Sequence, residues 1–221
     1  MGCNIMTIKV FCDFDGTITE GDNIVSLINK FAPPSIQMIK DEVLKGTISI
    51  REGVETMFST IPSAYQKEMT EYILSNTIIR DGFHEFVQYL NSEDYELTIV
   101  SGGLDFFVYP ILADYLPIEH IVCNRTDFTG ETVKIRWEHS CDEKCQNDCG
   151  LCKPSVMRKL SSAKDKVIVI GDSVTDLQIA KQADFIFARD FLKEKCEELN
   201  LPHQPFNDFH EILQSLTKKV I

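Results

Sequence analysis

The chain has 221 residues, of which 43% are hydrophobic and 25% charged, so it holds enough apolar side chains for a packed core. Its net charge of −12 at pH 7 argues against nucleic acid or an anionic membrane surface as a partner. No apolar run approaches the ~18 residues of a transmembrane helix, and residues 1–6 do not resemble a secretory signal, so we expect a cytoplasmic protein. No segment indicates an obligate protein partner.

Apolar runs of strand length recur along the chain with helical patterns between them, which is typical of an α/β domain with a parallel sheet. The runs cover residues 8–12, 97–100, 167–170 and 185–188, and polar residues or glycine follow each one. Their continuous hydrophobicity is what a strand covered on both faces requires. The predicted fold class is therefore α/β, with a Rossmann-like parallel-sheet core.

Residues 22–79 show helical periodicity without strand-like runs, which predicts a small helical cap inserted after the first strand. The catalytic core then consists of residues 1–21 and 80–221. Within the cap, Pro62 separates two helices and Ser63 is the predicted N-cap of the second. A further insertion is expected at residues 121–150, where Thr129-Gly130 predicts a hairpin turn before a cysteine-bearing loop.

Two carboxylates, Asp13 and Asp15, follow the first predicted strand, and Gly16 permits a tight turn that directs both into one cleft. A carboxylate is a poor nucleophile toward a phosphate dianion unless that charge is neutralised, which a Mg²⁺ ion with oxygen ligands can do. Asp13 is then the candidate nucleophile and Asp15 the candidate acid and base. The alternative for this segment by itself is a solvated acidic turn with a helix cap at Thr17.

Two further carboxylates, Asp172 and Asp176, follow the third predicted strand. Asp172 suits a Mg²⁺ ligand, whereas Asp176 is predicted either to steer a water at the metal or to hold Lys153. The alternative is an ordinary strand-to-helix turn with Ser173 as its N-cap.

A phosphate-binding function is predicted for Ser101 and Lys153. The hydroxyl of Ser101 and the free backbone N–H groups after it can form a phosphate cradle, although a flexible loop is the alternative. Lys153 precedes a proline at a predicted helix start and can offset charge on the phosphoryl group, although most lysines are solvated surface groups.

These segments lie far apart in sequence, yet most of them occur where a strand ends. Ligands gather at the carboxyl ends of the strands in parallel α/β sheets, so we expect the polar side chains to converge there. The residues concerned are Asp13, Asp15, Ser101, Asp172 and Asp176.

The order of these motifs resembles the haloacid dehalogenase-like phosphatases, in the branch related to phosphoserine phosphatase, across nearly the whole chain. The catalytic motifs are common to the superfamily, whereas the Pro33-Pro34 pair and the cysteine loop are more particular. The matching runs are residues 11–19, 31–34, 101–110, 139–141, 149–155, 171–176 and 187–190.

The resemblance implies a Rossmann-like core with a helical cap, Asp13 as nucleophile and Asp15 as acid and base. It implies Mg²⁺ held by Asp13, the Asp15 carbonyl and Asp172. The phosphate is implied to contact three residues: Ser101, Gly102 and Lys153. The implied substrate is a small phosphorylated metabolite, an enolised sulfur-containing sugar-phosphate derivative of methionine salvage.

Substrate choice is expected to reside in the cap, because a cap closes over the leaving group and excludes water. Candidates are Phe31, Arg51, Met57 and Phe58. For the three apolar residues, packing in the core is the alternative, and for Arg51 a solvated helix position.

Four cysteines, Cys141, Cys145, Cys149 and Cys152, lie close together with spacings that match no common zinc finger. A structural Zn²⁺ ion, a disulfide and packed free thiols are the three interpretations of this loop. Because the loop leads directly into Lys153, we expect it to brace that lysine.

Two other functions are consistent with parts of this pattern. One is a phosphatase for another small monoester, such as phosphoserine, since the cap contacts that separate such enzymes are not visible in the sequence. The other is a zinc-stabilised binding or regulatory protein whose cysteine loop meets a partner. The complete set of catalytic groups weighs against the latter.

Overall fold

A seven-stranded sheet forms the centre of the computed structural model, which describes residues 7–145, 148 and 150–218. The strand order is β4-β3-β2-β1-β5-β6-β7, and every neighbouring pair is parallel except the β3–β4 hairpin. The strands are β1 (Ile8–Cys12), β2 (Glu96–Leu104), β3 (Ile121–Asp127), β4 (Lys134–Arg136), β5 (Lys166–Gly171), β6 (Phe185–Ala188) and β7 (His203–Pro205).

Helices connect the parallel strands, as parallel pairing requires. In the described part of the chain they are α1 (Asn23–Phe31), α2 (Gln37–Leu44), α3 (Ile50–Phe58), α4 (Gln66–Asn76), α5 (Phe83–Ser92), α6 (Asp105–Leu112), α7 (Lys153–Leu160), α8 (Leu177–Ala180), α9 (Asp190–Leu199) and α10 (Phe209–Thr217). Short 3-10 segments occur at Pro34–Ile36, Ser63–Tyr65, Ile118–His120 and Val174–Asp176. None of the described helices is long and apolar enough to cross a bilayer.

Strand β1 lies at the centre of the sheet because both of its faces are apolar. Val10 and Cys12 belong to the larger hydrophobic cluster, and Phe11, which points the opposite way, belongs to the second. The larger cluster continues into α1, α3, α4, α5 and α10, and the second into α7 and α9. Burial on both faces explains the unbroken apolar run, and it confirms the predicted α/β class.

The four predicted strands are all present, but two boundaries differ from the expectation. Strand β2 continues past Val100 to Leu104, with an irregular register in between. The prediction that an insertion begins at residue 121 is wrong, because β3 belongs to the main sheet. It pairs with β2 through Ile99 and Ile121. The second half of β3 is polar, so the sequence has no continuous apolar run there from which the strand could be predicted. The hairpin around Thr129-Gly130 is confirmed.

The segment between β1 and α5 is helical, as predicted, and the described part of it contributes no strand to the sheet. Ser63 is not an N-cap, since it is the first residue of a 3-10 turn and its buried hydroxyl has no hydrogen-bond partner among the described residues. Its backbone N–H instead donates to the Glu131 carbonyl at 2.9 Å, and Val133 N–H donates to Ile61 O at 2.9 Å. These bonds attach the helical segment to the β3–β4 hairpin.

Gly82 joins the helical segment to α5 in a conformation that favours glycine. Its φ is +82°, and a Cβ there would lie 2.6 Å from the backbone nitrogen of His210 in α10. Gly130 makes a matched control, because its nearest atom would be Thr132 O at 3.8 Å and its φ lies outside the left-handed region.

We expect Gly82→Ala to lower the free energy of unfolding by roughly 2 kcal/mol, because left-handed strain and a backbone clash act together. Gly130→Ala should stay within about 0.5 kcal/mol of the parent. Urea denaturation measures both. Equal stability of the two variants would contradict the close packing of α5 on α10 at this point.

Candidate active site

The predicted site residues collect at the carboxyl edge of the central strands. Asp13 directly follows β1 and Asp172 directly follows β5, and these strands are neighbours. The backbone N–H of Asp13 donates to Ile170 O at 2.9 Å, which extends the strand pairing to the start of the loop. The two carboxylates are therefore held side by side, although 159 positions, counted from 13 to 172, separate them in sequence.

A buried lysine connects three segments of the chain. Lys153, the first residue of α7, donates to Asp13 Oδ1 at 2.5 Å and to Asp176 Oδ1 at 2.6 Å. All three side chains are at most 6% exposed. Burial alone lowers the pKa of Lys153, but the two carboxylates outweigh it and raise the pKa above its usual range, so the ammonium stays charged.

The site has more negative than positive charge. Carboxylate oxygens of Asp13, Asp172 and Asp176 lie within 4.8 Å of one another, with Lys153 as their direct cationic contact among the described residues. Burial raises the pKa of Asp13 well above its usual range. Burial, and then the charge of Asp176, raise the pKa of Asp172 to about 6. Clustered oxygen ligands with excess negative charge fit a hard divalent cation such as Mg²⁺.

Hydrogen bonding separates the roles of these carboxylates. Asp176 uses Oδ1 for Lys153, and its Oδ2 accepts from the backbone N–H groups of Asp172 and Ser173 at 3.2 and 3.0 Å. Both oxygens are thus committed to protein groups. Of the two functions predicted for Asp176, the structure shows the contact with Lys153. Asp13 and Asp172 are better suited to hold a cation.

The alternative prediction for this segment, a turn with Ser173 as its N-cap, also agrees with the structure. Ser173 and Asp176 form a capping box at the 3-10 turn Val174–Asp176, in which the Ser173 backbone N–H donates to Asp176 Oδ2 at 3.0 Å. The ordinary turn is therefore part of the candidate active site, because the cap holds the carboxylate of Asp176, which accepts from Lys153.

Asp15 is held by the first residue of α1. The backbone N–H and the side-chain amide of Asn23 both donate to Asp15 Oδ1, at 2.9 and 2.8 Å. Burial, and then the nearby charge of Asp22, raise the pKa of Asp15 to about 7, although the Asn23 hydrogen bonds oppose this. A carboxyl group with a pKa near neutrality can both donate and accept a proton.

Asn23 was not predicted as a site residue. Its position just after Asp22, the N-cap of α1, was the available signal, because helix N-terminal N–H groups attract carboxylates. Asn23 lies at the start of the helical segment and also accepts from the Thr77 hydroxyl near its end, at 2.7 Å, so the two ends of this segment meet at the residue that holds Asp15.

The loop after β1 turns sharply at Gly16, whose φ is +81°. A Cβ on Gly16 would lie 2.4 Å from Asp172 Oδ2, so this position has no room for a side chain. The next residue, Thr17, donates its hydroxyl to Asp172 Oδ1 at 3.0 Å and does not cap a helix in the described structure. The loop and Asp172 therefore hold each other in place.

Ser101 and Gly102 lie within β2 and not in a loop after it. The Ser101 hydroxyl accepts from Gly103 N–H at 2.9 Å, and the Gly102 carbonyl accepts from Asn124 Nδ2 at 3.0 Å. A Cβ on Gly103 would meet Ser101 Oγ at 2.9 Å and Asp15 Oδ2 at 3.1 Å. Ser101 Oγ and Asp15 Oδ2 therefore lie close together, on the same side of Gly103.

Arg80 is a second residue that the sequence did not reveal. Its side chain is 8% exposed and donates to the carbonyl oxygens of Gly16, Thr17, Thr19 and Asn207 at 2.8 to 3.2 Å. Three of these carbonyls belong to the loop that carries Asp13 and Asp15. Nothing in the local sequence marks such an arginine, because its partners are backbone atoms remote along the chain.

The cysteine loop is compact in the part that the structure describes. Sulfur atoms of Cys141, Cys145 and Cys152 lie within 4.8 Å of one another, whereas Cys149 lies outside the described residues. Cys152 N–H donates to His139 O at 2.8 Å. Burial alone raises the pKa of Cys152, but hydrogen bonds from Ser155 and the other two thiols lower it overall.

The cap residues considered for substrate choice have packing or surface roles in this structure. Phe58 and Met57 are buried in the larger hydrophobic cluster, and Phe31 packs against Tyr65 and Tyr72. Arg51 forms an exposed pair with Asp148 at 3.2 Å.

A separate groove of about 420 Å³ lies at the β3–β4 hairpin. It is lined by Gln66, Thr126, Asp127, Phe128, Thr129 and Arg136. The carboxylates and Lys153 are not among these lining residues, so the groove is distinct from the candidate active site.

Comparison of the sequence with known proteins gives a family and a named relative. A model of the haloacid dehalogenase-like hydrolases matches residues 10–181. A protein of Bacillus mycoides (strain KBAB4) named 2-hydroxy-3-keto-5-methylthiopentenyl-1-phosphate phosphatase is 53% identical over 211 residues, covering 96% of each chain.

Solved structures of the same fold include two related to phosphoserine phosphatase. A phosphoserine phosphohydrolase-like protein from Francisella tularensis has a TM-score of 0.67 at 23% identity, covering 95% of this chain and 99% of that one. A phospho-aspartyl intermediate analogue of phosphoserine phosphatase has a TM-score of 0.68 at 18% identity, covering 95% and 99%.

We expect Arg80→Met to lower the free energy of unfolding by about 3 kcal/mol, because it leaves several carbonyls near Gly16 without their buried donor. Arg125→Met is the control, since Arg125 pairs with Glu138 at 3.5 Å with both side chains about half exposed. That exposed pair should contribute less than about 1 kcal/mol. Chemical denaturation measures both, and equal effects would contradict the role assigned to Arg80.

Proposed function

The chain belongs to the haloacid dehalogenase-like hydrolase family, and from this premise we propose that it is a phosphatase for a small phosphorylated metabolite. The observation that carries the proposal is the buried contact of Lys153 with Asp13 and Asp176, next to Asp172. Such a group of carboxylates around one cation suits attack on an anionic phosphate ester.

The proposed substrate is 2-hydroxy-3-keto-5-methylthiopentenyl-1-phosphate, and the product 1,2-dihydroxy-3-keto-5-methylthiopentene, in methionine salvage. Support comes from the Bacillus mycoides relative with that substrate in its name, which is 53% identical over 96% of both chains. The likeness to phosphoserine phosphatase structures is in the fold, at 18–23% identity, and does not favour phosphoserine as substrate.

In the proposed first step, Asp13 attacks the phosphorus atom. Lys153 holds Asp13 Oδ1 and thereby orients the carboxylate that attacks. A bond forms between a carboxylate oxygen of Asp13 and phosphorus while the phosphorus–oxygen bond to the leaving group breaks, giving an aspartyl phosphate. Asp15, protonated at the start, donates its proton to the leaving oxygen.

In the second step, water hydrolyses the aspartyl phosphate. Asp15, now a carboxylate, accepts a proton from the water as its oxygen bonds to phosphorus. The bond between phosphorus and Asp13 then breaks, which releases inorganic phosphate and regenerates both carboxyl groups. A pKa of Asp15 near 7 suits both directions of proton transfer.

We assign Mg²⁺ to Asp13, Asp172 and the backbone carbonyl of Asp15, where it would neutralise phosphate charge and polarise the phosphoryl group. The oxygen-rich donor set and its excess negative charge fit this ion. Ser101, Gly102 and Lys153 are the proposed phosphate contacts. Lys153 offsets charge that builds up during transfer, and Asp176 positions Lys153.

We propose that residues 22–79 act as a cap over residues 1–21 and 80–221. The contact of Asn23 with Asp15 supports this, because it links the first cap helix to the proposed acid and base. Closure of the cap would exclude water from the leaving group. The cytoplasmic location that we propose agrees with the buried thiols of Cys12, Cys123 and Cys196, which form no disulfide.

We expect Asp13→Asn to lower kcat by more than about a thousandfold, which is ~4 kcal/mol of transition-state stabilisation, because an amide cannot form the acyl phosphate. The fold should persist, as judged by circular dichroism. Asp114→Asn, at an exposed carboxylate, is the matched control and should retain full activity. A rate above about a tenth of the parent for Asp13→Asn would contradict the nucleophile assignment.

A substrate panel tests the proposed reaction directly. We expect kcat/KM for the methylthiopentenyl phosphate to exceed that for phosphoserine and simple sugar phosphates by at least about 100-fold. Phosphate release is followed colorimetrically, with EDTA abolishing it and added Mg²⁺ restoring it. Preference for phosphoserine would instead support another small-monoester phosphatase. No release from any compound would leave a binding or regulatory protein as the better interpretation.

A further inference from the structure

We propose that Cys141, Cys145 and Cys152, termed here the thiol cluster, bind a structural zinc ion outside the catalytic site. The sulfur atoms of Cys141 and Cys145 lie 3.7 Å apart, and all three sulfur atoms lie within 4.8 Å of one another. The proposed reaction takes place at other residues, because the ligands of this site are separate from the carboxylates proposed for catalysis.

The sulfur spacing matches tetrahedral zinc–thiolate geometry. A Zn–S bond of ~2.3 Å places neighbouring sulfur atoms of a tetrahedron about 3.8 Å apart. A disulfide bond would require ~2.05 Å between the sulfur atoms. The distance between Cys141 and Cys145 therefore corresponds to an edge of a metal site. The cluster supplies three of the four ligands that a closed structural site takes.

The chemistry of the cluster separates it from the carboxylate site. Thiolates are soft ligands that select zinc, whereas carboxylate and carbonyl oxygens suit Mg²⁺. The two groups of ligands on this chain are thus suited to different metals. Zinc at the thiol cluster would have a structural effect, and the Mg²⁺ requirement of catalysis would be independent of it.

The segment that carries the cluster is one that a bound metal would stabilise. From Trp137 to Cys152, the described residues form no helix or strand. Hydrogen bonds attach this loop to α7: Arg158 donates to both carboxylate oxygens of Asp142 at 2.6 to 3.0 Å, and the Ser155 hydroxyl donates to Ser140 O at 3.3 Å. Zinc would join the two arms of the loop at the point where regular structure is absent.

The loop that carries the cluster also contacts two other parts of the protein. On one side, Asp148 accepts from Ser49 Oγ at 2.8 Å and from Arg51 at 3.2 Å, at the start of α3. On the other side, Cys152 is the residue before Lys153, at the start of α7. A metal at the cluster would therefore brace the N-terminus of α7 and the loop that contacts the helical segment.

The first test measures zinc in the full-length protein, purified under reducing conditions without added metal. We expect about one zinc per chain, and less than about a tenth of that in Cys141→Ser/Cys145→Ser. Cys196→Ser, at a buried thiol outside the cluster, should keep its zinc. Asp13→Asn should also keep its zinc while losing activity, which separates this site from the catalytic one. Zinc-free parent protein, or full zinc in the double variant, would overturn the proposal.

Cobalt substitution provides a test that does not need a variant to fold. Co²⁺ in place of zinc should produce a sulfur-to-cobalt charge-transfer band and strong visible bands typical of tetrahedral thiolate ligands. Removing the metal should lower Tm by at least about 5 °C and increase hydrogen exchange at the start of α7. Absence of the charge-transfer band, or a disulfide between Cys141 and Cys145 in the reduced preparation, would overturn the proposal.

Discussion

The charged contact of Lys153 with Asp13 and Asp176 is the interaction on which the rest of the site depends. A buried ammonium or carboxylate is costly without a partner, and each of these groups reduces that cost for the others. Because the three residues lie directly after β1, at the start of α7 and in the turn after β5, the contact also fixes the relative positions of those elements. The remaining negative charge, from Asp172 above all, creates the demand for a divalent cation that the proposed reaction uses.

Around this contact, the structure controls each carboxylate by giving it a different set of hydrogen bonds. Asp176 has both oxygens bound by protein groups, Asp13 has Oδ1 bound by Lys153, and Asp15 has Oδ1 bound by Asn23. Arg80 holds the loop that carries Asp13 and Asp15 through backbone carbonyls. These contacts give each of the four aspartates its own set of partners, which the separate functions proposed for them require.

The zinc site proposed at the thiol cluster would stabilise residues 137–152, where the described residues form no helix or strand. The segment before Lys153 cannot be stabilised by a helix or strand ladder of its own, so side-chain contacts must hold it. Asp142 with Arg158 and the three thiols are such contacts, and both groups lie next to α7. The position of the active-site lysine would thus depend on a soft-metal site that takes no part in the chemistry.

The sequence alone was sufficient for the α/β class, the four main strands and the convergence of Asp13, Asp172 and Asp176. The reason is that continuous apolar runs identify buried strands and parallel strands share one carboxyl edge. Only the tertiary structure revealed Asn23, Arg80 and the membership of β3 in the main sheet. Their partners are atoms distant along the chain, often backbone carbonyls, and hydrogen bonds of that kind leave no periodicity in the sequence.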